Sequence, residues 1–569
     1  MLNDVKCSNR RIIRVRCLIA AIILSTSIFW KGSLYYGSML SIPLRDAQTQ
    51  LSLHLYPLLE EHRPQCSPPT LHGNAGLHRF NPIVGAPQEN HLVDPDGFVE
   101  PMQVAHDSFV QAIRHTQIER AYIRGTKGIV SSAGGKYLPT FIIFLRLLRR
   151  TGARLPVELF MKDWIEYEPY ICEVVLPSLN GKCVVLSEVF TGPDGAKPDL
   201  EHFQLKAFSI LFSSFQDVIW MDSDCFFLYD PTNLLTSKPF TSTGLVTWPD
   251  FWSYTVSPTY YNISRQAIIP TTARQSTEAG MFLISKKTHF MSLLLSAYYN
   301  YHASYFYTMI SQGAPGEGDK DTFVLAASAL GEKFHTVSEK VADLGHPAPD
   351  GGVLGAAMLH ADPIEDYKLT RQGRWRVRDE SVAKAPRGYW LHAYSPKFNA
   401  GEDLFSEKTQ DKDGHPGRAY TSKEETLKRL GYDAERDLWE ETKTVTCTLE
   451  HAFDSWKTKT GLCETVTKHW DAVQYNSNMQ IKSLFVVLTG LMAFAAAAPA
   501  EAEARDTANV QARKSWTAEG GCKTDWAGRC NAQCIGEGVR SHGCKKGDIS
   551  SGIESSHCVI GWNICKCSC

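Results

Sequence analysis

One short run, Phe215–Pro231, constrains this chain more than any other stretch; it reads FQDVIWMDSDCFFLYDP. Val218, Ile219 and Trp220 form an apolar triplet that is rich in β-formers and too short for a helix, so it reads as a buried strand. Asp222 and Asp224 sit where that strand ends, and Phe226, Phe227 and Leu228 follow them. Carboxylates are costly to bury without compensating positive charge, and the apolar flanks on both sides put this pair at the mouth of a core. Hard oxygen ligands of this kind suit Mg2+ or Mn2+, which can in turn hold a substrate diphosphate. An exposed turn carrying two solvated carboxylates is the alternative reading of the same residues.

At 569 residues the chain exceeds what one hydrophobic core usually serves, so two or more units are expected. A net charge of -2 leaves no electrostatic footprint for nucleic acid. Of the 16 cysteines, eight are scattered between Cys7 and Cys463 and eight crowd into Cys522–Cys569. The density of the second group implies an oxidising compartment.

The N-terminus carries Arg10, Arg11, Arg14 and Arg16 before an uncharged run, Cys17–Trp30, closed by Lys31. Basic residues ahead of an apolar span keep that side cytoplasmic and leave the bulk of the chain in the lumen. The run is short for a spanning helix, but Arg16 and Lys31 can snorkel and thin membranes accept short spans. No small-residue cleavage site follows, which favours an uncleaved signal anchor. The expected order is a cytoplasmic tail at 1–16, an anchor helix at 17–30 and a Pro/His/Gly-rich stem at 31–102. A sequon at Asn262 fits a lumenal location.

Helical periodicity begins near Gln103. Gly128–Tyr137 (GIVSSAGGKY) then reads as strand, tight glycine turn and helix start, the helix running through Phe141, Leu145 and Leu148 to Gly152. Leu155–Phe160 is a second strand, and strand, helix, strand in this order argues for a βαβ unit in a mainly parallel sheet. Bare backbone N–H groups in such a turn can face nucleotide phosphates, although Gly134-Gly135-Lys136 lacks the spacing of a P-loop. Cys172 and Cys183 flank a short loop and are either a lumenal disulfide or two free thiols. A helix over Leu200–Phe215 would bury Leu205, Phe208, Leu211 and Phe212, with Lys206 on its exposed side or near the site.

Further along, polar clusters lie within apolar surroundings at Trp248–Trp252, Glu278–Gly280, Gly318–Asp321 and His392–Lys397. Each could be an ordinary loop. Aromatic rings mixed with carboxylates also suit sugars, whose C–H faces stack on Trp and whose hydroxyls donate to Asp or Glu. His392 follows an apolar stretch and could complete a metal shell with Asp222 and Asp224.

The ordered set GIVSSAGGKY, LPVELF, Gln204–Pro231, WPDFW, TEAGMFLISKKTH, GDKDTF and HAYSPK resembles the fungal Golgi α-mannosyltransferases over roughly Gly128 to Phe398. The resemblance implies an α/β, GT-A-like fold built on a single Rossmann-type mixed sheet flanked by helices. It also implies a type II membrane protein of the Golgi that uses GDP-mannose and Mn2+ (or Mg2+) and makes an α-linkage with retention. Its partners would be a mannan, N-glycan or mannoprotein acceptor and, in a complex, other Golgi mannosyltransferases. Matched residue by residue, Asp222 and Asp224 are the DxD pair on the metal. Gly134, Gly135, Lys136 and Lys206 would face the donor, Glu278 and Gly280 the transferred sugar, and Asp319 and Asp321 the acceptor or donor hydroxyls, while Trp248 and Asp250 are sugar-site candidates from their residue types. A front-face retaining mechanism needs no obligatory protein nucleophile; Glu278 and Asp321 are the candidates for a catalytic role.

The transferase unit is expected to span 103–470, its last part charged and helical around Leu427, Leu430 and Leu438. Met479–Lys482 then opens onto uncharged Ser483–Ala498 and an Ala-rich zone, a complete secretory signal in mid-chain, so 471–514 reads as signal and pro-segment. In the module at 515–569, Cys530 and Cys534 share a helix face and Cys565 and Cys567 a strand face, so the pairs can bridge each other. This resembles the cysteine-stabilised αβ fold of defensin-like peptides, with zinc as the alternative. The chain is then either two genes joined or a true fusion cleaved in the lumen. An active transferase, an inactive carbohydrate-binding relative and a secreted peptide from the C-terminal part all remain open.

Overall fold

The structure is a computed structural model that describes residues 43–474, apart from 315, 317, 349–351 and 412, together with parts of 515–569. The expected anchor at 17–30 and the mid-chain signal at 479–498 lie outside the described residues. Among the described residues no helix is long and apolar enough to cross a membrane.

The strands of the main body are β1 (Ile123–Ser132), β2 (Val157–Met161), β3 (Gly181–Val185), β4 (Phe215–Met221), β5 (Cys225–Phe227), β6 (Leu245–Ser253), β7 (Gln275–Ser285), β8 (His335–Thr336), β9 (Ala342–Pro347), β10 (Val353–Ala361) and β11 (Gly388–His392). Seven of them form a mixed sheet in the order β3-β2-β1-β4-β7-β6-β8. β1, β2, β3 and β4 run parallel, and β7 enters antiparallel to both β4 and β6. The expected βαβ unit is present, β1 passing through the Leu138–Arg150 helix into β2.

Strand alternation divides the interior into two cores. In β4, Ile219 and Met221 belong to one and Val218 and Trp220 to the other; in β7, Met281 and Leu283 oppose Phe282 and Ile284 in the same way. A sheet apolar on both faces must be covered on both, which is why these strands read as continuous apolar runs. Helices Leu138–Arg150 and Ala434–Leu449 cover one face; Val99–His115, Leu205–Phe212 and Phe290–Tyr301 cover the other. The charged stretch after Gly401 thus packs onto the first helix of the sheet, held there by Glu441, which pairs with Arg146 and Arg150.

Three expectations are corrected. The sheet is not single: β5, β11, β10 and β9 make a second, four-stranded antiparallel sheet. β4 turns at Asp222–Asp224 straight into β5, which pairs with β11, so the two carboxylates stand at the junction of the sheets. The stem is not wholly irregular, since residues 43–61 are helical and bury Leu51, Leu55 and Leu59 completely. Their spacing of four puts all three on one helix face. The helix expected over Leu200–Phe215 is shorter, a 3-10 turn at His202–Gln204 leading into Leu205–Phe212, because Phe215 already pairs in β4 with Ile123.

Disulfides Cys172–Cys183 and Cys447–Cys463 staple this body. In the tail, the Cys530–Ser541 helix is bridged to β14 (Ile564–Ser568) by Cys530–Cys565 and Cys534–Cys567. β14 lies between β12 (Ser515–Thr517) and β13 (Ser550–Glu554) in a three-stranded antiparallel sheet.

Candidate active site

β1 ends at Ser132, and the chain turns through Gly134 and Gly135 into the Leu138–Arg150 helix. Gly135 has a φ of 52°, a left-handed conformation in which a side chain is strained. A Cβ on Gly134 would stand 2.3 Å from the Glu166 carboxyl carbon, so a side chain there would have to displace that carboxylate. Beside it opens a cavity of about 660 Å³. Gly134, Gly135, Lys136, Lys206, Asp222 and Asp224, the residues expected to face a donor, all line it.

Asp222 is oriented from two sides. The Trp220 indole N–H donates to its Oδ1 at 2.6 Å, and Lys206 Nζ lies 3.3 Å from the same oxygen. Lys206 is buried, which removes the alternative of a surface charge; it also pairs with Asp319 at 3.0 Å and donates to the Ala279 carbonyl at 2.7 Å. Burial pushes the Asp222 carboxyl up to about 6 against the pull of Lys206. For Lys206 itself the adjoining Asp222 and Asp319 outweigh burial and raise its pKa.

Asp224 is buried and takes the opposite course. Burial acts to raise its pKa, but His392 and Lys397 hold it far below the ordinary carboxylate value. His392 Nε2 lies 3.4 Å from Asp224 Oδ1 and Nδ1 lies 3.3 Å from Glu278 Oε1, while the Lys397 ammonium pairs with the other Asp224 oxygen. Strand register makes this meeting: His392 stands opposite Cys225 in the β11–β5 ladder. Two flanking carboxylates overcome burial and hold His392 well above its usual pKa. Ligand atoms of Asp224, Cys225 and His392 all lie within 4.8 Å of one another, and Asp222 is not part of that group.

The remaining expected residues turn away from this cavity. Trp248 is fully buried in β6, its indole N–H donating to the Ala361 carbonyl and its ring edge-on to Trp390, so no face is left for a sugar. Asp250 pairs with Lys320, Asp319 with Lys206, and Gly280 uses its carbonyl to accept the Asp222 N–H. Asp321 is saturated by Arg274, Ser276 and Thr277, and although burial opposes it, Arg274 keeps its pKa low. A carboxylate so held is a poor proton acceptor, and the catalytic role expected of it is withdrawn. Glu278 is likewise committed, to His392 and to the Gly280 N–H; it positions His392 rather than facing a substrate. The Trp248–Trp252 and Glu278–Gly280 clusters therefore belong to strands β6 and β7, not loops.

Residues that the sequence reading passed over also line the cavity. Glu168 is buried with its pKa pushed up to about 7 by burial, and Ile165 and Phe203 stand exposed at the rim. Lys397 was within reach, five residues past His392 in the same motif. Glu168 left no signal, since nothing local distinguishes it from a surface acid.

A mannosyltransferase family profile matches residues 126–276 and 270–362. Among curated proteins the chain is 31% identical to the α-1,2-mannosyltransferase MNN21 of Candida albicans, covering 62% of each chain. It is 28% identical to MNN2 of Saccharomyces cerevisiae, another α-1,2-mannosyltransferase, over 62% of this chain and 70% of that one. A further relative, MNN5 of Saccharomyces cerevisiae, is 32% identical, and the chain spans 55% of its length. The chain thus spans 55–70% of the length of these relatives. Among solved structures, the Streptococcus pneumoniae glycosyltransferase GlyE shares 13% identity at a TM-score of 0.28, covering 56% of this chain and 64% of that chain. The galactosyltransferase LgtC shares 11% at 0.24, covering 37% and 73%. Likeness of that degree assigns no fold.

Proposed function

We propose that the protein transfers an α-linked mannose from GDP-mannose to a mannoside acceptor, with retention, a reading supported by the mannosyltransferase profile that matches residues 126–362. The names of the relatives favour an α-1,2 linkage. The observation that carries this reading is the gathering of Gly134, Gly135, Lys136, Lys206, Asp222 and Asp224 around one cavity.

The residues present fit a divalent ion such as Mn2+. Asp224 offers an ionised oxygen, Asp222 stands at the same turn with its carboxylate already oriented, and His392 would add an imidazole nitrogen on giving up the proton that Asp224 and Glu278 favour. Such an ion would neutralise the charge that develops on a departing diphosphate. The chain's own residues do the rest. The open glycine turn lets backbone N–H groups approach phosphate oxygens, and Lys136 adds charge at the same mouth. Trp220 and Lys206 hold the Asp222 carboxylate in one plane, so no ordering is needed when substrate arrives. Glu278 lies 3.3 Å from His392 Nδ1 and attracts the ring by charge.

In the cell the protein would be a single-pass type II protein of the Golgi, with residues 43–474 in the lumen; the Cys172–Cys183 and Cys447–Cys463 disulfides favour an oxidising compartment. The helix-to-strand bridges of the tail favour a defensin-like secreted peptide as a second product of residues 515–569.

The test is transfer from GDP-mannose to defined α-mannosides with and without Mn2+, product linkage being read by NMR. Asp222→Ala and Asp224→Ala should each lower turnover by about 10²–10³-fold while the far-UV spectrum is unchanged. Full activity in either variant, or no response to metal chelation, ends the assignment.

A further inference from the structure

A second cavity, of about 210 Å³, adjoins the first and shares Lys136, Tyr137 and Lys397 with it. Its other walls include Tyr394, Glu402 and Asp403. None of the residues expected at the sugar or acceptor opens onto the main cavity, because Trp248, Asp250, Gly280 and Asp319 are buried or committed elsewhere. The second cavity meets the first at Lys397, whose ammonium pairs with Asp224.

Its construction is rigid. Asn399 ties the segment after β11 to the glycine turn, donating from Nδ2 to the Lys136 carbonyl at 2.6 Å. Asn399 Oδ1 in turn accepts the Gly401 N–H and the Trp456 indole N–H, each at 2.9 Å. Phe398, the preceding residue, is fully buried.

Its chemistry selects a ligand class. Tyr137 and Tyr394 each have a lysine ammonium 5.5 Å from the ring centroid, on one side, leaving the other side for sugar C–H groups, and carboxylates accept from hydroxyls. The charges oppose one another. Lys397 is spent on Asp224, and Glu402 is paired with Lys459 at 3.3 Å, while among the described residues no ion pair reaches Asp403. With Lys397 and Glu402 paired, Lys136 and Asp403 leave the walls near neutral, which suits a neutral polyol better than a diphosphate. The volume is below the ~300 Å³ at which drug-sized pockets begin, a scale suited to one ring.

We propose that this cavity is the subsite for one neutral sugar ring of the acceptor, a mannoside, with Asp403 and Glu402 as its hydroxyl acceptors. The inference rests on the transferase reading above and adds the place of the acceptor to it. Both carboxylates are exposed, so their replacement leaves the core intact.

The experiment measures binding of methyl α-mannoside to the full chain by saturation-transfer NMR, beside GDP-mannose binding by calorimetry with Mn2+ present. Asp403→Ala should weaken mannoside binding about tenfold, the loss of one hydrogen bond to a charged group, and the Glu402→Ala/Asp403→Ala pair should weaken it further. Donor affinity should stay within about twofold, less than ~0.5 kcal/mol. Unchanged mannoside affinity, no mannoside binding by the parent chain, or an equal fall in donor affinity each overturns the subsite. Because neither measurement needs turnover, mannoside binding without transfer would sink the transferase reading and leave the subsite standing.

Discussion

Replacing Lys206 by methionine removes the single positive charge between two acids. Its ammonium lies 3.0 Å from Asp319 and 3.3 Å from Asp222, and also satisfies the Ala279 carbonyl at 2.7 Å. Breaking a buried ion pair by deleting one partner costs about 3–5 kcal/mol, because the other charge stays behind unpaired. Here the cost falls unevenly. Asp222 keeps 30% of its side chain exposed at the cavity and retains the Trp220 N–H, whereas Asp319 is only 4% exposed. The lower end, about 3 kcal/mol, is therefore expected. Domains of 150–250 residues lose about 2–4 °C of Tm per kcal/mol and larger units less, which puts the fall at roughly 3–6 °C. Adding Asp319→Asn to Lys206→Met should recover about half of it, since the worst-placed charge is then gone. Differential scanning calorimetry of the parent, single and double variants checks this. A Lys206→Met protein melting within about 1 °C of the parent, or a double variant less stable than the single, would refute the reasoning.

Two further outcomes follow from the same cavity. The Glu168 carboxyl is pushed up to about 7 from an ordinary 4.5, so its protonated form is the one the fold prefers. Its contribution is complete below pH 4.5 and lost as pH rises through about 7; melting curves of the parent should show this decline, and Glu168→Gln should flatten it. Gly134→Ala would drive a methyl to 2.3 Å from the Glu166 carboxyl carbon and displace the carboxylate that accepts the Lys162 N–H at 2.8 Å. The cost should be about 1–3 kcal/mol of stability, with a clear loss of GDP-mannose affinity by calorimetry; an unchanged affinity would remove the turn from the donor site.

Local signals carried much of this protein. The β4 triplet, the glycine turn after β1 and the Cys172–Cys183 loop were legible because each is decided within a few residues, by side-chain period, by backbone freedom or by short loop closure. The buried face of residues 43–61 was equally local and was masked by the prolines and histidines around it. Residue type also told which side chains could hold a metal or a phosphate.

Whether those side chains do so depends on who stands opposite them, and that was decided in three dimensions. Asp222 and Asp224 look alike in the sequence, yet burial raises one while His392 and Lys397, more than 160 residues away, hold the other down. Trp248, Asp319 and Asp321 have the composition of a sugar site and became a core ring and two buried ion-pair members. Composition is a property of the chain, but burial and charge compensation arise from strand register and sheet junctions, which no short window contains.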